Sequence, residues 1–164
     1  RNRQSEYFVS CPNKQNHKGR GMEQLDVIGL LKAAQTLERN VSVSLMYAGL
    51  RVPQFRMLDA LAGMGQATVT EMSTRLHITR ATASVMINEL VRAGIVAMVE
   101  NPADRRSFHI RLTELGRDKL HVARSDVGVL INELSRQYPE DLIRVLNGFA
   151  RMMLKSKPAG GDGK

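Results

Sequence analysis

The sequence predicts a mainly α-helical fold that contains a single β-hairpin. Apolar residues recur every three or four positions through most of residues 22–157, as in helices that bury one face. Only two short runs are typical of strands, IVAMVE at 95–100 and SFHIRLT at 107–113. Because two short helical segments directly precede these strands, we expect a winged helix-turn-helix, in which a three-helix lobe carries a β-hairpin wing.

The first two helices are predicted from periodicity and from a proline. Residues 22–48 place apolar side chains at helical spacing. Pro53 suits the first turn of a helix, where a missing amide donor costs nothing, so we expect the second helix to begin there. The Gly-Met-Gly stretch at 63–65 predicts its end.

Two short helices joined by a tight turn at 77–79 form the centre of the predicted lobe. We expect Thr70 to cap the first, TEMSTRLH, with Glu71 stabilising its first turn. We expect Thr79 to cap the second, RATASVMINELVRAG, and Gly94 to end it.

Two long helices complete the chain. Thr113 is the predicted cap of a helix over residues 114–137, and the Tyr138-Pro139 pair separates it from a last helix over 139–157. A compact lobe leaves little to cover the apolar stripes on the first and last helices. The stripes therefore predict an isologous homodimer.

The predicted organisation has a lobe, a dimerisation region and two tails. Residues 53–113 form the winged helix-turn-helix lobe, and residues 22–52 and 114–155 together form the helical dimerisation region. Residues 1–21 lack helical periodicity and are expected to be a flexible basic tail outside the core, with Met22 a candidate native start. Residues 156–164 are expected to be a second flexible tail.

Composition and charge limit the classes of function. The formal net charge of the 164-residue chain is +8, but the first 21 residues hold five basic side chains against one acidic. Residues 75–111 hold six arginines against three acidic residues, so the local charge is more informative than the total. The single cysteine, Cys11, excludes an intramolecular disulfide and favours a reducing cytoplasm. We expect no membrane span.

The second short helix has the pattern of a DNA recognition helix. Its inward face is predicted to hold small or apolar residues: Ala83, Met86, Ile87 and Leu90. Arginine, hydroxyl and amide side chains can hydrogen-bond to base edges and phosphates. The predicted DNA-binding residues, which lie outward or at the helix start, are Thr79, Arg80, Thr82, Ser84 and Asn88.

The hairpin that follows has the pattern of a wing. We expect Arg105 or Arg106 at its tip to enter the minor groove or contact the flanking phosphates, because narrow A·T-rich grooves concentrate negative potential. Asp104 is expected to shape the tip by pairing with a neighbouring arginine. Thr70 and Arg111 are candidate phosphate contacts. The alternative is that these arginines are ordinary solvated charges on a hairpin.

The run VTEMSTRLHITRATASVMINELVRAGIVAMVENPADRRSFHIRLTELG resembles the core of the multiple-antibiotic-resistance-regulator (MarR) family of transcription factors. Its end, NPADRRSFHIRLTELG, is similar to the family's wing signature, and RVPQFRMLDALA resembles the preceding helix. The likeness extends over residues 22–154. It implies a homodimer whose two lobes bind a pseudo-palindromic operator in double-stranded DNA. It also implies a repressor that is released by a small phenolic or lipophilic effector or by cysteine oxidation.

Two features depart from the family's pattern. Val85 and Glu89 occupy positions where members often carry basic residues, so the grip on phosphates is expected to be weaker there. Cys11 lies in the predicted tail and is the only thiol that oxidation could use.

Other functions are less well supported by the residues. The four histidines lack metal-ligand spacing, no nucleophile–base pair or phosphate loop appears, and we expect neither a cofactor nor enzymatic activity. Methionines are expected to pack in the core, or alternatively to line an effector pocket through Met46, Met57 or Met64. A second candidate function is a winged-helix interaction module that does not read DNA.

Overall fold

The computed structural model describes residues 25–100 and 108–155. Within these residues it contains six helices and three short strands. The elements are, in chain order, α1 Val27–Ser44, α2 Val52–Met64, β1 Gln66–Ala67, α3 Val69–Leu76, α4 Arg80–Arg92, β2 Val96–Glu100, β3 Phe108–Leu112, α5 Glu114–Gln137 and α6 Glu140–Lys155. The mainly α winged helix-turn-helix class predicted from the sequence is confirmed. Both predicted tails and the wing tip, including Asp104, Arg105 and Arg106, lie outside the described residues.

The strands form one antiparallel sheet in the order β1-β3-β2. Met98 of β2 lies opposite Ile110 of β3, and Gln66 of β1 lies opposite Arg111. β3 is therefore the central strand. The sequence did not predict β1, because two residues are too few to show the alternation that marks a strand.

The hydrophobic core lies inside the lobe. It is contributed by α2, α3, α4, the sheet, the turn at 45–50 and the first half of α5, with Leu58, Met72, Ile87 and Ile110 among its fully buried side chains. Met57 is also fully buried, whereas Met46 and Met64 are exposed. Neither α1 nor α6 contains a buried residue.

The predicted first helix, residues 22–48, is too long at both ends, since the described residues Leu25 and Asp26 precede α1 and Asp26 is its N-cap. α1 ends at Ser44, and residues 45–49 form a turn. Leu45 and Ala48 are buried in the core, and Gly49 adopts a positive φ of 64°. Lys119 of α5 donates from Nζ to the Ala48 carbonyl oxygen at 3.0 Å. Periodicity alone predicted that the helix continues to residue 48. Instead, the chain leaves the helix after Ser44 because Leu45 and Ala48 are buried in the lobe.

The prediction that Thr70 caps the first short helix is wrong by two residues. The N-cap of α3 is Thr68, whose hydroxyl accepts a hydrogen bond from the Glu71 amide at 3.2 Å. The Glu71 carboxylate accepts from the Thr68 amide in return, at 2.7 Å. This reciprocal pair needs threonine and glutamate three residues apart, and the Thr-Val-Thr-Glu sequence contained that signal.

The second and the last helix each begin one residue from the predicted start, at Val52 and Glu140, and the caps predicted for α4 and α5 agree with the structure. Thr79 and Thr113 are the caps of α4 and α5, and α5 has the predicted bounds. Gly94 follows α4 with a φ of 68°, a conformation that glycine adopts without steric cost.

Candidate nucleic-acid interface

The turn between α3 and α4 is built by local hydrogen bonds. His77 ends α3 in the left-handed conformation, with a φ of 54°. The Ile78 amide donates back to the Ser73 carbonyl oxygen at 3.0 Å, and the His77 amide donates to the Thr74 carbonyl oxygen at 3.3 Å. These two bonds satisfy carbonyl groups at the end of the helix and reverse the chain within three residues. α4 therefore starts in a fixed position relative to α3.

The first turn of α4 is held by two threonines. The Thr79 hydroxyl accepts from the Thr82 amide at 3.1 Å, and the two hydroxyl oxygens lie 2.8 Å apart. Both side chains are exposed, so each hydroxyl also faces outward. The remaining amides of the first turn give this end of the helix a positive partial charge that favours an anion.

α4 buries one face and exposes the other. Ala83, Ile87 and Leu90 are buried in the core, as predicted, and Met86 is half-buried. Arg80, Thr82 and Asn88 are exposed. Ser84 was also predicted to point outward, but it is half-buried at the margin of the exposed face.

An ion pair that the sequence analysis did not find joins α4 to α2. Arg51, the N-cap residue of α2, donates from Nη2 to Oε2 of Glu89 at 2.5 Å. Both side chains are largely exposed, so the pair contributes little to stability. Its importance is electrostatic, because it offsets the negative charge that Glu89 places on the exposed face of α4. No pattern of local spacing could predict it, since the partners are separated by 38 residues.

A shallow depression lies between the start of α2 and the exposed face of α4. Its volume is about 460 Å³. It is lined from α2 by the segment that begins at Arg51 and from α4 by Ala81, Thr82, Val85 and Glu89. The floor is therefore largely apolar, and the Arg51–Glu89 ion pair stands at its rim.

Two further candidate phosphate contacts lie outside α4. Arg111 lies in the central strand β3 and is exposed, and Thr70 is exposed at the second position of α3. The wing tip between β2 and β3 cannot be placed against them, because residues 101–107 lie outside the described part of the chain.

Thr113, the N-cap of α5, hydrogen-bonds to the residues that directly follow α4. Its hydroxyl donates to the Gly94 carbonyl oxygen at 2.7 Å, with the Ile95 carbonyl oxygen at 3.0 Å. The same hydroxyl accepts from the Gly116 amide at 3.0 Å. The long helix α5 therefore holds the C-terminal end of α4 in place.

The amide of Thr68, and after it the Thr68 hydroxyl, lower the pKa of Glu71 below its ordinary value of 4.5. Among the residues that the structure describes, no cluster of histidine, cysteine, aspartate or glutamate could hold a metal ion. None of the helices in residues 25–100 and 108–155 is long and apolar enough to cross a membrane.

Comparison with known proteins identifies this lobe. The model of the MarR family matches residues 48–107. A search of curated proteins gave no significant match.

Solved structures with the same fold include three that cover most of this chain. A mutant of MarR from E. coli, complexed with operator DNA, has a TM-score of 0.70 at 24% identity over 77% of this chain and 93% of its own. The transcriptional repressor CouR, bound to a 23-mer DNA duplex, has a TM-score of 0.76 at 24% identity over 80% and 93%. RV1404 from Mycobacterium tuberculosis has a TM-score of 0.68 at 24% identity over 85% and 100%.

These likenesses support the winged-helix fold across the described chain, and the family model adds a match in sequence over the lobe itself. Residues 48–107 of this chain are therefore similar in sequence to the MarR family.

Proposed function

We propose that the chain is a transcriptional regulator that binds a pseudo-palindromic site in double-stranded DNA as a homodimer. The observation that carries this function is the exposed face of α4. It follows a rigid three-residue turn, lies next to the strands of a wing, and belongs to the segment that matches the MarR family. A helix held in this way can enter the major groove. We assign the chain a binding role rather than a catalytic one.

The expected contacts follow from the geometry. Arg80, Thr82 and Asn88 reach base edges and phosphates, with Thr79 and Ser84 at the margins. Thr70 and Arg111, which are both exposed, are expected to contact phosphates.

The wing supplies a second set of contacts. Arg105 and Arg106 enter the minor groove, and Asp104 shapes the tip that carries them. The full expected set of DNA-contacting residues is Thr70, Thr79, Arg80, Thr82, Ser84, Asn88, Arg105, Arg106 and Arg111.

Repression and effector release are the finer parts of the proposed function. CouR, a structural neighbour, is described as a transcriptional repressor bound to DNA. We infer that this chain also represses, in the cytoplasm, and that a small phenolic or lipophilic effector releases it from DNA. Met57 is buried in the core, so among the three methionines considered for an effector pocket, Met46 and Met64 remain accessible.

A second candidate function is a winged-helix module that binds another protein and does not read DNA. Two observations favour it: Val85 is exposed at the centre of the α4 face, and Glu89 carries a negative charge beside it. Salt dependence separates the two functions, because a DNA-binding protein releases counterions as it binds and loses affinity steeply as the salt concentration rises.

The test is fluorescence anisotropy with duplexes from the region upstream of the protein's own gene. Titrations at several salt concentrations, with scrambled duplex as competitor, should show selective and steeply salt-dependent binding. Duplexes selected by the full chain from a random-sequence library provide a probe if the operator lies elsewhere.

A variant tests the wing. The double substitution Arg105→Ala and Arg106→Ala should weaken binding to all sequences and lower the salt slope by about one to two per wing. The matched control is Arg144→Ala, which removes an arginine from α6, far from α4 in sequence. If the chain neither binds the upstream duplexes selectively nor selects any duplex from the library, the regulator function is contradicted. An unchanged salt slope in the double variant would contradict only the wing contacts.

A further inference from the structure

The centre of the exposed α4 face is apolar. Ala81 and Val85 lie one helical turn apart on the same face, and both are exposed. Val85 is 61% exposed, which leaves most of a branched apolar side chain in water. An exposed valine contributes to the free energy of binding only if an apolar group of the ligand covers it, because the contribution comes from removing apolar surface from water.

An arginine lies at each end of the helix that carries this apolar centre. Arg80 precedes it at the start of α4, Arg92 follows it in the last turn, and both are exposed. The one carboxylate at the rim, that of Glu89, is already paired with Arg51. The apolar centre thus lies on a helix with an arginine at each end and with its neighbouring carboxylate already paired, which suits a polyanion that presents a small apolar group.

DNA presents one such group in the major groove. The C5-methyl of thymine is the only apolar substituent on the groove edge of the four bases, and alanine and other small side chains contact it directly. A protein ligand could also cover this apolar surface, but the arginines at both ends of α4 and the paired Glu89 are a better match to duplex DNA.

We propose, on the basis of the DNA-binding function above, that Ala81 and Val85 read thymine methyl groups and so set the base preference at the centre of each half-site. Val85 supplies two methyl groups that pack on the thymine methyl. The Arg51–Glu89 ion pair keeps the Glu89 carboxylate from repelling the neighbouring phosphates. Each operator half-site therefore contains at least one thymine whose methyl group is required for full affinity.

Replacing thymine by deoxyuridine removes the methyl group and preserves every hydrogen-bonding group on the base. The probes are the best-bound duplexes that the full chain selects from a random-sequence library, with thymines replaced one position at a time. At one or two positions in each half-site, the replacement should weaken binding by about fourfold, which corresponds to ~0.8 kcal/mol for one buried methyl at 1.4 kcal/mol per tenfold. Replacements outside the half-sites should have no effect.

Two variants assign the effect to Val85. In Val85→Ala the thymine-to-uracil difference should fall to less than twofold at the position that Val85 reads, because alanine lacks the two methyl groups that pack on the thymine methyl. The position that Ala81 reads should keep its difference. The matched control, Val99→Ala, truncates an exposed valine on β2 and should retain the full difference.

The outcomes separate this inference from the proposed function. Selective duplex binding with no thymine-to-uracil difference, or with differences that are unchanged at every position in Val85→Ala, would overturn the methyl readout and leave the DNA-binding function standing. Failure of the wild-type chain to select any duplex would overturn both.

Discussion

At the scale of single residues, Gly116 shows how closely the start of α5 approaches the backbone of Ile95, just after α4. A Cβ atom added at Gly116 would lie 2.1 Å from the Ile95 carbonyl oxygen and 3.1 Å from its carbon. These are backbone atoms that cannot rotate away. The close approach exists because the Thr113 hydroxyl ties the start of α5 to Gly94 and Ile95. Gly116 is thus required by packing, without any special backbone angle.

We expect Gly116→Ala to lower the free energy of unfolding by about 1–3 kcal/mol, since the added methyl group forces the backbone apart. Urea denaturation followed by circular dichroism measures the change. The matched control is Gly63→Ala in α2, where an added Cβ meets no atom within 4 Å. Alanine is the better helix former there, so the control should be more stable by about 0.5–1 kcal/mol. Equal stabilities of the two variants would contradict the close approach.

At the scale of a single element, the start of α3 is stabilised by reciprocal hydrogen bonds between Thr68 and Glu71. The Thr68 and Glu71 pair satisfies amides that the helix itself leaves free. Because hydrogen bonds from Thr68 lower the pKa of Glu71, the folded state favours the charged carboxylate. The resulting stability is fully present above the ordinary pKa of 4.5 and is lost as the pH falls from there through the lowered value.

Glu71→Gln tests this pH dependence. Glutamine can still accept a hydrogen bond from the Thr68 amide but carries no charge, so it resembles protonated glutamate. The wild-type protein should be more stable than the variant at neutral pH, and the difference should shrink as the pH falls below 4.5. Unfolding in urea at stepwise lower pH measures it. A difference that does not vary with pH would contradict a lowered pKa.

The α4 helix shows which parts of the candidate site were accessible to prediction. Its bounds, its cap Thr79 and its buried residues follow from helical periodicity and capping preferences, which are local properties of the sequence. The half-burial of Ser84 does not, because it depends on what packs beside α4. The Arg51–Glu89 pair is likewise decided by the approach of α2. Contacts between distant segments are invisible to a local pattern.

At the scale of the whole molecule, α1 and α6 leave their apolar side chains largely exposed within the described residues. α1 and α6 contain no buried residue, although both carry apolar side chains at helical spacing. On α6 the apolar stripe recurs at positions i, i+4, i+7 and i+11, namely Leu142, Leu146, Phe149 and Met153. A second copy of the chain would cover such a stripe isologously.

We expect the wild-type protein to have the mass of a dimer at micromolar concentration, measured by light scattering or sedimentation. Leu146→Glu should shift the mass toward that of a monomer, because an unpaired carboxylate would be buried in the interface. Asn147→Glu introduces the same charge on the polar side of α6 and should leave the dimer intact. A monomer mass for the wild-type protein, or for both variants, would contradict an interface through this stripe.

The sequence by itself determined the order of the six helices and the β2–β3 hairpin, the helix caps at Thr79 and Thr113, and the glycine stop at Gly94. Each depends on neighbours a few residues away, whose hydrogen bonds and periodicity can be read along the chain. The tertiary structure alone decided the end of α1 at Ser44, the strand β1, and the ion pair beside an exposed Val85. These features depend on burial in a shared core and on the approach of segments far apart in sequence. Their free energy comes from packing that exists only once the lobe has formed.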